Sequence, residues 1–160
     1  MVHTIKEDDL IKNILASAKT IAMVGVSSIK KEVSTNIKRR PSIIVMKYLQ
    51  EFGYRVIPVN PFSVGKEIYG ETVVAQLGDI KIPIDIVDVF RPSIEAPMLA
   101  KQAVKIKAKV FWLQYGIQNE EAEKIVKLEN ITCIANRCIK QEYQRLFLKV
   151  SPVFPALKRK

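Results

Sequence analysis

The residues with the sharpest chemistry in this 160-residue chain are three arginines placed just ahead of helix starts. Arg40-Pro41-Ser42 and Arg91-Pro92-Ser93 share one pattern, with proline where the first helical turn prefers it. Arg137 also precedes a helical stretch. A cation pointing into a helix N-terminus opposes the macrodipole and costs about 0.3–1 kcal/mol. Three such placements become favourable when an anion lies among them. Free N–H groups at a helix start bind phosphate, and arginine adds paired hydrogen bonds to it. Taken singly, each arginine can instead turn to solvent or pair with Asp88, Glu95 or Glu142; taken together, they favour an anionic ligand.

The second feature is a glycine turn. Gly25-Val26-Ser27 follows the apolar run Thr20 to Val24. A dinucleotide fingerprint Gly-x-Gly-x-x-Gly would need glycine at 25, 27 and 30, and only Gly25 meets it. The end of the second apolar run also argues against NAD. An acidic residue there would bind the ribose 2′-hydroxyl, whereas this chain has Asn60-Pro61. A neutral amide tolerates a phosphorylated ribose that a carboxylate would repel, which suits NADP or coenzyme A better. Asn60 is equally well placed as a turn residue ahead of Pro61.

Other chemistry is poorly supplied. The only histidine is His3, near the start of the chain, so histidine catalysis and histidine-ligated metal are not expected. Cys133 and Cys138 are five apart, which is neither a redox pair nor a metal pattern. Asp85 and Asp88 lie three apart on a strand and face opposite sides; Asp85 is expected at the strand entry and Asp88 hydrogen-bonded near its exit. Cys138, next to Arg137 at a helix start, is the best nucleophile candidate, but no base can be named beside it. No catalytic residue is assigned, and the balance favours a non-catalytic protein.

The elements that must position these residues alternate regularly. Apolar runs at 20–26, 55–59, 84–90, 109–113 and 131–135 read as strands buried on both faces. Between them lie amphipathic stretches: Leu10 to Ala18, Ile44 to Phe52 ended by Gly53, Leu99 to Ile106, Ala122 to Val126 opened by Asn119, and Ile139 to Val150. A short helical turn is possible around Val74 to Leu77, and Gly65 and Gly70 bracket a loop or short extra strand. This alternation predicts a Rossmann-like, doubly wound α/β fold with a five-stranded parallel sheet. One domain is expected over 1–160, with its core at about 8–150 and a loose basic tail at 151–160. Ligands of such sheets sit at the carboxyl ends of the strands, where Gly25, Asn60, Arg91, Gln114 and Arg137 all fall.

No apolar run reaches the ~20 residues needed to cross a bilayer. The opening Met1 to Asp9 carries acids where a signal peptide would be apolar, so a cytoplasmic protein is expected. The net charge is +10, but 19 of the 26 basic residues are lysines spread over the helices, which reads as solvated surface. A weak nucleic-acid binder using loop 30–40 and the basic tail is one alternative, though it lacks interleaved aromatics for base stacking. An enzyme using NADP or a CoA thioester is another. A monomer or a homodimer is equally compatible with the sequence.

Several strings together resemble the small stand-alone CoA-binding domain family, related to the nucleotide-binding domain of the succinyl-CoA synthetase α-subunit. They are Val24-Gly25-Val26-Ser27, Arg40-Pro41-Ser42, Gly53-Tyr54-Arg55-Val56-Ile57-Pro58-Val59-Asn60-Pro61, Ile84 to Pro92, Val110 to Ile117 and Asn136-Arg137-Cys138. The resemblance covers roughly residues 10–148. It implies strand order 3-2-1-4-5 and a coenzyme A site at the strand tips. Gly25, Val26 and Ser27 would serve through backbone, Arg40 near phosphate, Asn60 and Pro61 near the adenosine half, and Phe90 and Arg91 across the switch in strand order. Gln114 and Arg137 would line the pantetheine side. Three departures stand out: a longer, basic stretch at 29–39, read as either a lid or a disordered loop; Asn136 where relatives tend to have Asp; and Tyr143 where they often have His. The phosphorylated-histidine domain of the synthetases is absent from this sequence, so ligase activity is not implied.

Overall fold

The computed structural model describes residues 5–26 and 41–149. Ser27, Arg40 and the basic stretch 29–39 lie outside the described residues, as does the tail from 150. Five parallel strands form the main sheet: β1 (Thr20–Val24), β2 (Arg55–Val59), β5 (Ile86–Val89), β6 (Val110–Leu113) and β7 (Thr132–Ile134). The intervening β3 (Glu67–Ile68) and β4 (Glu71–Thr72) make a small antiparallel hairpin at the place bracketed by Gly65 and Gly70. Across the main sheet the order is β2-β1-β5-β6-β7. Beyond β2, Val74 pairs in parallel with Val59 as an isolated bridge. Counting that bridge as the third strand in chain order, the sheet follows the expected 3-2-1-4-5 and continues to a sixth position. The switch in direction therefore lies between β1 and β5, where Ile21 pairs with Ile86 and Val24 with Val89.

The apolar strands are explained by cover on both faces. Alternate residues Ile21, Met23, Ile86, Val110 and Trp112 join one buried layer with α1 (Ile5–Ser17), α2 (Pro41–Glu51) and α5 (Ile139–Tyr143). Ala22, Val24, Val87, Val89, Phe111 and Leu113 join the other, with α3 (Ala96–Lys105) and α4 (Glu120–Leu128). Period-two alternation delivers one strand to two cores. Trp112 is fully buried, and its indole N–H donates to the Arg137 carbonyl at 2.7 Å. This bond satisfies its one polar group and ties β6 to the turn after β7.

Local signals locate the helix ends. Asn119 accepts from the Ala122 amide at 2.8 Å, capping α4. Gly53, at φ 99°, ends α2, and the Tyr54 amide turns back to the Leu49 carbonyl at 3.1 Å. The turn around Val74 to Leu77 is a single 3-10 turn at Leu77–Asp79. The last helix departs from expectation. It is α-helical only to Tyr143, then widens into a π-helical turn over Gln144–Leu148 before Lys149 takes a left-handed backbone. Across this widening Tyr143 and Phe147 stack at 4.8 Å, and Arg145 reaches Asp8 of α1 at 2.8 Å. Among the described residues, no helix is long and apolar enough to cross a membrane.

Candidate functional site

The carboxyl ends of β1 and β5 meet at the glycine turn. Gly25 follows β1 with φ 102°, a conformation that disfavours side chains. A Cβ added there would stand 2.6 Å from the Phe90 carbonyl oxygen and 2.9 Å from Cδ of Arg91. The chain after β5 thus runs directly over Gly25, and the glycine is required by close approach as well as by φ. Gly25 donates its amide to the Val59 carbonyl at 2.8 Å, and Phe90 donates to Val24 at 2.8 Å. These bonds join the tips of β2, β1 and β5 into one edge.

Two cavities open at this edge. The first, of about 290 Å³, is lined by Gly25, Asn60, Pro61, Gln76, Arg91 and residues of α3 that include Met98 and Gln102. Phe62 stands at it, 89% exposed. The second, of about 830 Å³, is lined by Val45, Phe90, Arg91, Gln114, Tyr115 and Cys138 among others. Arg91 lines both and is the only arginine among the described residues to line either. Its guanidinium makes a forked pair with Glu95, Nε to Oε1 at 3.0 Å and Nη2 to Oε2 at 2.7 Å. The hydrogen bond from Arg91 holds the Glu95 carboxyl below its ordinary range, against the opposing effect of burial. Both cavities thus share Arg91.

The structure brings Gly25, Asn60, Pro61, Phe90, Arg91 and Gln114 to these cavities. Val26, fully buried, adjoins them through its carbonyl, which accepts from the Asn60 amide nitrogen at 2.9 Å. Asn60 Oδ1 in turn accepts from the Phe62 amide at 2.8 Å. The side-chain amide that the sequence offered to a ribose therefore spends hydrogen bonds on its own turn and on the glycine loop. Gln114 is buried and accepts from the Ile139 amide at 3.2 Å, fixing the start of α5 beside the second cavity.

Arg137 is placed differently from expectation. It lines neither cavity and is 4% exposed. Its Nη2 lies 2.8 Å from Glu7 of α1 and its Nη1 3.5 Å from Glu142 of α5. Glu142 also meets Arg145 at 2.7 Å. The reason is burial: a guanidinium inside a protein must be matched by carboxylates, and α1 and α5 supply them. Cys138 lines the second cavity but has the Arg137 guanidinium committed to these acids rather than free to assist a thiolate. Burial pushes the other thiol, Cys133, up to about 12.

The two aspartates also separate. Asp85, at the strand entry as expected, accepts from the Lys19 and Thr20 amides at 2.8 and 3.1 Å. Asp88 is fully buried, and neither carboxyl oxygen has a hydrogen-bond partner among the described residues, contrary to the expected bond near the strand exit. Its register neighbours are Met23, whose thioether has no hydrogen to donate, and Trp112, whose indole N–H is taken by the Arg137 carbonyl. Burial raises its pKa well above the ordinary carboxylate range.

Sequence reasoning missed the contribution of α3 and of the turn at 76: Gln76, Met98 and Gln102 line the first cavity although none belongs to a motif. The four-residue spacing from Arg91 to Glu95 was a legible signal for their pair. Asn136, expected from the resemblance to depart from an Asp, adopts φ 60° and accepts from the Gly116 amide at 2.6 Å. Asparagine tolerates that left-handed backbone, so the departure is compatible with joining the loops after β6 and β7.

Known proteins resemble the chain over most of its length. The sequence pattern of the CoA binding domain matches residues 19–144. An uncharacterized protein of Bacillus subtilis, YneT, is 42% identical over 130 residues, covering 81% of this chain and 89% of that relative. A solved structure from Thermus thermophilus is 41% identical with a TM-score of 0.77, covering 88% of this chain and 98% of its own. A hypothetical protein from Pyrococcus horikoshii is 38% identical with a TM-score of 0.78, covering 91% and 97%.

Proposed function

The chain belongs to the CoA binding domain family, and on that premise we propose that it binds coenzyme A or an acyl-CoA as a non-catalytic carrier, sensor or accessory protein. The adenosine half enters the first cavity against Pro61, with Met98 and Phe62 at its mouth. The diphosphate crosses the Gly25 turn beside Arg91, with Ser27 and Arg40 as further phosphate contacts. The pantetheine arm passes Phe90 into the second cavity towards Gln114 and Cys138. Arg137 supports the wall of that cavity from within the core and makes no ligand contact.

One observation carries the reading: two cavities share one arginine, whose stem passes over a glycine turn. Coenzyme A has the matching order of base, phosphates and a long, weakly polar arm. The test is titration calorimetry of the purified protein with coenzyme A, acetyl-CoA and NADP, at low salt and at about 150 mM, since phosphate contacts weaken with screening. Binding of coenzyme A or its thioester in preference to NADP is expected. Absence of heat with both at low salt refutes the reading. Denaturing the protein as purified and weighing any released ligand by mass spectrometry separates free coenzyme A from an acyl form.

A further inference from the structure

Arg91 and Glu95 form the one forked ion pair that lines the first cavity among the described residues. The carboxylate takes Nε and one Nη2 hydrogen, a side-on edge of the guanidinium. Phosphate binds arginine through the same kind of paired contact. The pair is not buried scaffolding, because the side chains are 39% and 33% exposed. The Arg91 stem passes close over Gly25, its Cδ 2.9 Å from where a Cβ on that glycine would stand. A ligand phosphate at this turn therefore meets a guanidinium one of whose edges is already occupied by an anion.

We propose that Glu95 is an internal competitor for Arg91, holding the guanidinium edge that a ligand phosphate would take and so weakening the grip of the site on polyanions. The inference rests on the coenzyme A reading only for which polyanion arrives. A pre-paired arginine also avoids leaving a lone cation against the sheet tip when no ligand is bound. Glu95 swings away on binding, which makes release fast and keeps the site from being saturated by any passing phosphate. The opposite role would be positioning: Glu95 would orient Arg91 so that its remaining three N–H groups face the ligand, and its loss would then weaken binding. The two roles predict opposite signs for one substitution.

The experiment uses the full chain with two probes, coenzyme A and inorganic pyrophosphate, titrated into wild type, Glu95→Gln, Arg91→Ala and the double variant at fixed pH and salt. Glutamine keeps the shape and removes the charge. Glu95→Ala serves as a second variant, and thermal unfolding checks that each protein is folded. Glu95→Gln is expected to bind both probes about fivefold more tightly, the scale of a partly exposed charge interaction, and to give no gain once Arg91 is alanine. Unchanged or weaker binding of both probes overturns the proposal. So does an equal gain in the Arg91→Ala background, which would mean a general field effect. If pyrophosphate binds more tightly to Glu95→Gln while coenzyme A binds to no variant, the competitor stands and the coenzyme A reading falls. If coenzyme A binds wild type and Glu95→Gln equally, that reading stands and the competitor falls.

Discussion

Arg91 and Arg137 look alike along the chain: each follows a strand and precedes a helix. In three dimensions they are opposites. The Arg91 side chain is 39% exposed, shared between two cavities and paired with one carboxylate four residues on. The Arg137 side chain is 3% exposed and lies between Glu7 and Glu142, in a network that Arg145 and Asp8 extend. Exposure decides the difference. A buried guanidinium must be compensated on all sides, so it becomes part of the frame. A half-exposed one can exchange its partner for a ligand.

The largest expected effect tests the frame. Arg137→Ala should cost about 3 kcal/mol in urea unfolding, because it removes one of the two cations paired with the largely buried Glu142 carboxylate. Arg145 remains with Glu142 and keeps the loss near that lower figure. A loss below about 1 kcal/mol would erase the contrast between the two arginines. Next, Gly25→Ala forces a side chain onto the Phe90 carbonyl and the Arg91 stem. It should cost about 2 kcal/mol from backbone strain and displacement, and coenzyme A affinity should fall with it.

Asp88 sharpens the comparison from the other side, as a buried ionisable group with no hydrogen-bond partner among the described residues. Its folded pKa is raised above the unfolded value. Its contribution to stability is therefore fully present below the unfolded pKa of about 3.8 and is lost as pH rises through the folded pKa. Within that window wild-type stability should fall by about 1.4 kcal/mol per pH unit from this group, and the slope should be missing in Asp88→Asn. Denaturant titrations at a series of pH values measure it; identical slopes would show that Asp88 does not hold its proton. The smallest effect on stability belongs to Arg91→Ala, below about 1 kcal/mol for a partly exposed pair. Its expected signature is in binding instead, a loss of about tenfold in coenzyme A affinity by calorimetry, as for a charge-assisted phosphate contact.

Much of this was legible beforehand because it depends on local order. Strands at 20–24, 55–59 and 110–113 announce themselves as nearly continuous apolar runs, and Asn119 and Gly53 mark helix ends through their own backbone and side-chain chemistry. The π-helical turn after Tyr143 was not legible, since no local residue marks it and aromatic stacking and the Arg145–Asp8 pair accompany it only in the folded chain. The same limit applied to the site. Gly25, Pro61, Phe90, Arg91 and Gln114 could be named from where strands end, but Gln76, Met98 and Gln102 enter the first cavity only because α3 packs across the sheet.

Sequence alone thus determined that this chain builds a parallel sheet with its polar residues gathered after the strands, because apolar periodicity and turn chemistry are properties of neighbours along the chain. It determined which residues stand at the strand tips. Tertiary structure decided which of them face a cavity. Asn60 turned its amide to Val26 and Phe62, Arg137 was enclosed by Glu7 from 130 positions earlier and by Glu142, and Asp88 was left with no hydrogen-bond partner among the described residues. Burial and pairing are set by groups distant in sequence, so the charge state and availability of a side chain exist only once the layers have closed.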